Sequence, residues 1–122
     1  MDIRRAVPIV SAEDLERTED FYGAFLGFEV AMREDGFRMF RSPSNPTAQV
    51  IAASPDTEMF ASDAPVANMS VEVDDVDAAH EEAQRRELRI VYPITDEPWG
   101  IRRFFVEDPD GNVINVAMHI DR

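Results

Sequence analysis

Residues Ile101–Met118, IRRFFVEDPDGNVINVAM, decide how the chain is read. Two apolar-rich runs flank Asp108-Pro109-Asp110-Gly111. Asp opens the turn, Pro presets φ at the next position, and Gly accepts the left-handed conformation that closes it. The stretch predicts a β-hairpin. On its second strand Ile114, Val116 and Met118 fall on one side, and Val113, Asn115 and Ala117 on the other. On the first strand Phe104 and Val106 share a face opposite Arg103 and Phe105. A type I turn followed by a left-handed Gly, a three-residue loop with a bulge, pairs Phe105 with Asn115. One face is then purely apolar. The other sets Arg103 and Asn115 among apolar neighbours and reads either as the wall of a site or as a solvent-exposed face.

Upstream of this hairpin the chain has a regular order. Ile3–Val10 reads as a strand with Pro8 at an edge or irregularity. Glu13–Leu26 reads as one helix, with Leu15, Phe21, Tyr22, Phe25 and Leu26 apolar, Ser11 in the N-cap region and Gly27 as C-cap. Strands follow at Phe28–Arg33 and Phe37–Arg41 around the Asp35-Gly36 turn, and then at Thr47–Ala53. Residues 55–66, with Pro55 and Pro65, read as a linker. Beyond it Ala67–Val73 alternates as a strand, Asp74-Asp75 opens a helix to about Arg86, and Leu88–Tyr92 is a strand. A loop around Pro93–Gly100 leads into the final hairpin.

The order is β-α-β-β-β twice. Asp14 and Asp75 open the two helices 61 residues apart, and a strand follows each helix at nearly the same offset. The fold class predicted is α+β, two βαβββ modules (residues 1–54 and 67–122) forming a curved mixed sheet around a groove.

Composition narrows the function classes. Of 122 residues, 44% are hydrophobic, enough for a core, and no run approaches the ~20 apolar residues of a membrane span. The N-terminus lacks a signal-peptide pattern, and a cytoplasmic location is expected. The chain has no Cys, which rules out disulfides and thiolate zinc sites. The net charge of −13, from 25 acids against 12 bases, argues against nucleic acid and suits a cationic ligand or simple solubility.

The run PIVSAEDLERTEDFYGAFLGFEV resembles the first module of the vicinal oxygen chelate superfamily, in particular its bleomycin resistance protein branch. VEVDDVDAAHEEAQRRELRIVYPITDEPWGIRRFFVEDPDGNVINV resembles the second module. The helix-entry Asp, Phe-Tyr and Leu-Gly-Phe of the first run, with DPDGN of the second, carry the match. The superfamily contains glyoxalases, extradiol dioxygenases, epimerases, thiol transferases and drug-sequestering proteins, so the resemblance implies the fold more narrowly than the activity. It places the four metal-ligand positions of the family's enzymes at Val7 or Pro8, near Gln49–Ala52, at Asn68 and at Asn115. Two Asn and one Gln make a poor divalent site. His80 and His119 fall on none of these positions, and no Ser or Thr has a recognisable catalytic base.

No catalytic residue, metal or cofactor is therefore expected. The function expected is that of a metal-independent small-molecule-binding protein resembling the drug-sequestering bleomycin resistance proteins. Its rivals are a glyoxalase-like lyase or dioxygenase using a degenerate metal site, and a non-catalytic interaction module. Asn68, Arg103, Phe105 and Asn115 line the expected groove, with Trp99 and Glu97 at its rim. Trp99 suits a flat or cationic ligand. Arg103 suits a ligand carboxylate or phosphate, or an internal partner such as Glu72. Phe40 and Phe60 are further apolar candidates. The resemblance also implies a homodimer.

Overall fold

A computed structural model describes residues 1–55 and 65–120. Its elements run β1 (Ile3–Ser11), α1 (Leu15–Glu19) continued by a π-helical segment (Asp20–Phe25), β2 (Glu29–Glu34), β3 (Phe37–Arg41) and β4 (Gln49–Ala53). They continue with β5 (Met69–Val73), α2 (Val76–Arg85), β6 (Ile90–Glu97), β7 (Ile101–Glu107) and β8 (Val113–His119). This is an α+β chain with both parallel and antiparallel strand pairs. It divides into two compact units, Val7–Ser62 and Met1–Ala6 with Asp63–Arg122. The expected linker falls largely outside the described residues, and Phe60 lies wholly outside them.

In the Val7–Ser62 unit, β2 pairs with β3 and β3 with β4, both antiparallel, and the later residues of β1 pair parallel with β4. Asp35-Gly36 forms the β2–β3 turn, with Gly36 at φ +73°. Helix α1 is capped by Asp14, whose Oδ1 accepts the Arg17 N–H at 3.1 Å. Here the structure corrects the expectation of one continuous helix over residues 13–26. The Leu26 N–H reaches back five residues to the Phe21 carbonyl at 3.1 Å, so the last turns are widened. Tyr22 and Leu15 still pack inward with Phe28, Val30 and fully buried Phe40, and Tyr22 stacks on Phe40 at 5.2 Å. Phe21, Phe25 and Leu26 are instead exposed.

In the other unit, β8 is parallel to β5 and antiparallel to β7, and β6 closes the edge beside β7. The final hairpin has the predicted register, with Phe105 opposite Asn115. Its loop has the predicted form. The Gly111 N–H donates to the Asp108 carbonyl at 3.1 Å, and Gly111 sits at φ +84°. The Asp108 carboxylate accepts from the Asn112 side chain and from the backbone N–H groups of Asn112 and Asp110, which hold its pKa below the usual range. The apolar face of the hairpin meets α2. Phe104, Val116, Val71 and Val73 pack on Val76, Ala79 and Ala83, and His80 stands edge-on to Phe104 at 5.0 Å. Asp75 caps α2 through Ala78 N–H at 3.0 Å. The small Ala79 and Ala83 let the helix approach the sheet closely. Burial of Phe104 contributes on the order of 2–3 kcal/mol.

One charged clip ties α1 to its sheet. Glu19 accepts from Arg33 Nη2 at 2.6 Å and from Arg38 Nε at 2.5 Å. These two bonds, Arg33 first, hold its pKa down to about 2, against an ordinary value of 4.5. A carboxyl depressed in the folded state contributes stability that is complete above its unfolded pKa and lost as pH falls through its folded one. We therefore expect stability to decline between about pH 4.5 and about pH 2, with part of the decline absent in Glu19→Gln. Denaturant unfolding of both proteins across that range checks it, and parallel acid profiles would contradict it.

Candidate functional site

The second face of the hairpin is neither open to solvent nor apolar. Arg103 is 3% exposed, Phe105 1% and Asn115 7%. Register explains how these residues meet. Phe105 and Asn115 are directly opposed across β7 and β8, and Asn115 is opposite Ser70 on β5. On the other side of β7, Tyr92 is opposite Phe105 and Thr95 opposite Arg103. That pairing needs one extra residue in β6, a bulge between Tyr92 and Thr95. The bulge brings Tyr92, Thr95 and Glu97 onto the same side as Arg103, which simple alternation along β6 would forbid.

The expected loop at Pro93–Gly100 is corrected accordingly. Strand β6 runs through Pro93 to Glu97, and only Pro98-Trp99-Gly100 is turn. The Gly100 N–H donates to the Glu97 carbonyl at 3.1 Å, with Gly100 at φ +87°. Glu97-Pro98-Trp99-Gly100 thus repeats the chemistry of Asp108-Pro109-Asp110-Gly111, and the two turns cap the two ends of β7.

Glu97 is the second correction. Expected at an exposed rim, it is 9% exposed and bound from two sides. Its Oε2 accepts from Arg103 Nε at 2.7 Å and from the Tyr92 hydroxyl at 3.0 Å. Arg103 is therefore not the partner of Glu72, which instead meets Arg5 at 3.5 Å and His119 Nδ1 at 3.1 Å. The Arg103 guanidinium carbon lies 4.9 Å from the Phe105 ring centre and 5.3 Å from those of Tyr92 and Trp99. Three aromatic rings and a carboxylate thus surround one cation. Trp99 is the outermost of the rings, 42% exposed.

Asn115 Nδ2 donates to Ser70 Oγ at 3.2 Å. Its Oδ1 is buried and accepts no hydrogen bond among the described residues. Such an oxygen is a standing cost to the fold unless a donor reaches it. Asn68 lies on the same side of β5 as Ser70, but at the end of the strand and exposed. Its Oδ1 accepts the Val113 N–H at 2.8 Å, and its backbone N–H donates to the Val113 carbonyl. The structure therefore gathers Glu97, Trp99, Arg103 and Phe105 into direct contact, places Asn115 beside Phe105, and gives Asn68 a strand-pairing role at one end of the face. Tyr92 is the member that sequence reasoning missed, because it was counted only as an apolar strand residue. Phe40, the other apolar candidate, is a core residue of the Val7–Ser62 unit.

The donor set at the family's metal-ligand positions does not fit a divalent cation. Val7 is buried and apolar, Gln49 Nε2 donates to the Pro46 carbonyl, the Asn68 oxygen already accepts a backbone N–H, and Asn115 offers a neutral amide. None supplies an anionic or imidazole donor. Among the described residues, no three His, Cys, Asp or Glu side chains come together as a possible metal cluster.

A buried ion pair breaks asymmetrically. Removing Glu97 alone leaves a guanidinium and a tyrosine hydroxyl without their carboxylate, so Glu97→Ala is expected to destabilise the protein by about 3–5 kcal/mol. Glu97→Leu with Arg103→Met is expected to cost less than either single change. Urea unfolding of the four proteins checks this, and additive costs would contradict it.

The comparisons with known proteins agree with this architecture. A bleomycin resistance protein of Geobacillus stearothermophilus is 26% identical over 130 residues, spanning 95% of this chain and 97% of that protein. Among solved structures, a glyoxalase/bleomycin resistance protein/dioxygenase superfamily member from Vibrio splendidus 12B01 superposes with TM-score 0.73 at 19% identity, over 96% of this chain and 99% of that one. A methylmalonyl-CoA epimerase from Mycobacterium tuberculosis superposes with TM-score 0.67 at 20% identity, over 98% and 88%. The family model of the Glyoxalase/Bleomycin resistance protein/Dioxygenase superfamily matches residues 5–116, and the chain belongs to that superfamily.

Proposed function

We propose that this protein is a metal-independent small-molecule-binding protein of the bleomycin resistance type, which holds its ligand on the β5–β8 face and releases it unchanged. The observation that carries this reading is the buried Arg103–Glu97 pair enclosed by Tyr92, Phe105 and Trp99, on a face whose strand positions supply amides where metal enzymes supply His and Glu. The relatives named bleomycin resistance proteins, similar along nearly their whole length, support it.

Each residue then has a role. Trp99 offers its exposed ring for stacking. Arg103 and Glu97 fix Trp99 from below, and Asn115 Oδ1 is an acceptor for a ligand N–H or O–H. Asn68 holds the end of β8 in place. The inner faces of the three rings already meet a guanidinium, and the Glu97 carboxylate already has two donors. This favours a flat aromatic ligand over a cationic one at this face. The proposal includes a homodimer, on the strength of the resemblance.

Four measurements test the reading. Titration of Trp99 fluorescence with a panel of aromatic drugs and planar metabolites should find a saturable quencher, weakened at least several-fold in Asn115→Leu, and no response from any compound contradicts it. Mass spectrometry of the recovered quencher should show it intact. The metal-free protein titrated with nickel, zinc and iron should bind none stoichiometrically; one tightly bound ion with turnover of the compound establishes an enzyme instead. Sedimentation velocity should give twice the 13.8 kDa chain mass.

A further inference from the structure

The helical segment of the Val7–Ser62 unit carries a feature of its own, built from residues other than those of the β5–β8 face. An open surface depression of about 650 Å³ borders α1 and the π-helical segment. Phe21, Tyr22 and Phe25 form its apolar part, and Glu16, Arg17, Thr18 and Asp20 complete it. Phe21 and Phe25 lie 5.4 Å apart, 51% and 75% exposed, while Phe21 stands edge-on to Tyr22 at 5.2 Å. Tyr22 in turn stacks on buried Phe40, so the aromatic cluster is anchored to the core.

Two exposed phenylalanines held side by side are not explained by folding. Exposed aromatic rings can attract an organic cation through their negative faces. The charges around them agree. Glu16 and Asp20 are one turn apart and exposed, whereas the neighbouring Glu19 is neutralised by Arg33 and Arg38. Arg17 is the one cation in the lining, and the chain as a whole carries −13.

We propose that this depression binds a hydrophobic organic cation, a quaternary ammonium, phosphonium or protonated amine with an aromatic body. The rings take the body by stacking and cation–π attraction, and Glu16 and Asp20 balance the charge.

The test uses two ions of nearly identical shape and opposite charge, tetraphenylphosphonium and tetraphenylborate, with the full chain in calorimetric titration. The cation should bind with one-to-one stoichiometry and at least tenfold more tightly than the anion, and its affinity should fall as salt rises. Phe25→Ala removes a side chain that is 75% exposed, so the fold is expected to survive, and affinity should drop several-fold. Glu16→Gln with Asp20→Asn should weaken the cation roughly fivefold, as expected for exposed charge pairs. Trp99→Phe should leave the affinity unchanged, which separates this surface from the β5–β8 face. Equal binding of the two ions, indifference to all three helix substitutions, or loss in Trp99→Phe would each overturn the proposal. So would conversion of a dimer to a monomer by Phe25→Ala, since the face would then belong to a second copy.

Discussion

The contact between Arg103 and Glu97 organises the β5–β8 face. Both side chains are almost wholly removed from water, at 3% and 7% exposure. Taking two ions out of water costs several kcal/mol each, and their attraction offsets this only if geometry and additional hydrogen bonds are good. The surroundings meet that condition. The Tyr92 hydroxyl supplies a second donor to the carboxylate, and three ring faces supply negative potential to the guanidinium. Satisfying the pair thus dictates where Tyr92, Trp99 and Phe105 must stand. The proposed binding wall and this structural constraint are the same set of atoms.

This arrangement accounts for the surface that the chain presents on its β5–β8 face. A metal site would need anionic or imidazole donors aimed at one point on the face, each restrained from behind. In this chain the charged groups on the face of the second unit are directed at one another instead. The Asn115 position carries a neutral amide whose oxygen accepts no hydrogen bond among the described residues, and the Asn68 position is committed to the backbone of β8. What the face offers a visitor is an exposed indole and a hydrogen-bond acceptor. The depression on the π-helical segment differs in character, since it joins exposed rings to two acids and one arginine. The two proposals therefore call for different ligands, one flat and uncharged, the other cationic.

Much of this was legible from residue types because it rests on local chemistry. Asp108-Pro109-Asp110-Gly111 has one favourable conformation, which fixes the hairpin register and hence the pairing of Phe105 with Asn115. Asp14 and Asp75 mark both helix starts for the same reason, although the cap of the first helix is Asp14 and not the Ser11 region, Ser11 being the last residue of β1. The misreadings have physical causes. Pro93 argued for a loop because proline lacks the N–H a central strand needs, yet β6 is an edge strand, where that loss is tolerated. The Glu97-Pro98-Trp99-Gly100 turn carried the same signal as the last hairpin and could have been found by it. The bulge in β6 could not, because a one-residue shift in pairing leaves no mark on composition, and it brings Tyr92 onto the face that Arg103 and Glu97 share. The π-helical turn is equally silent in sequence, so Phe21 and Phe25 read as core when the chain exposes them.

The claim that Arg103 is held inside an aromatic enclosure by Glu97 can be measured directly. In a protein labelled with nitrogen-15, the Arg103 Nε–H signal reports both burial and ring-current shielding. At neutral pH it should be visible, slow to exchange with solvent and displaced upfield from exposed arginines. It should collapse into the exposed envelope in Glu97→Gln while the remaining fold persists. An Arg103 signal that exchanges as fast as those of exposed arginines in the unmodified protein, or one unchanged in Glu97→Gln, would contradict the account.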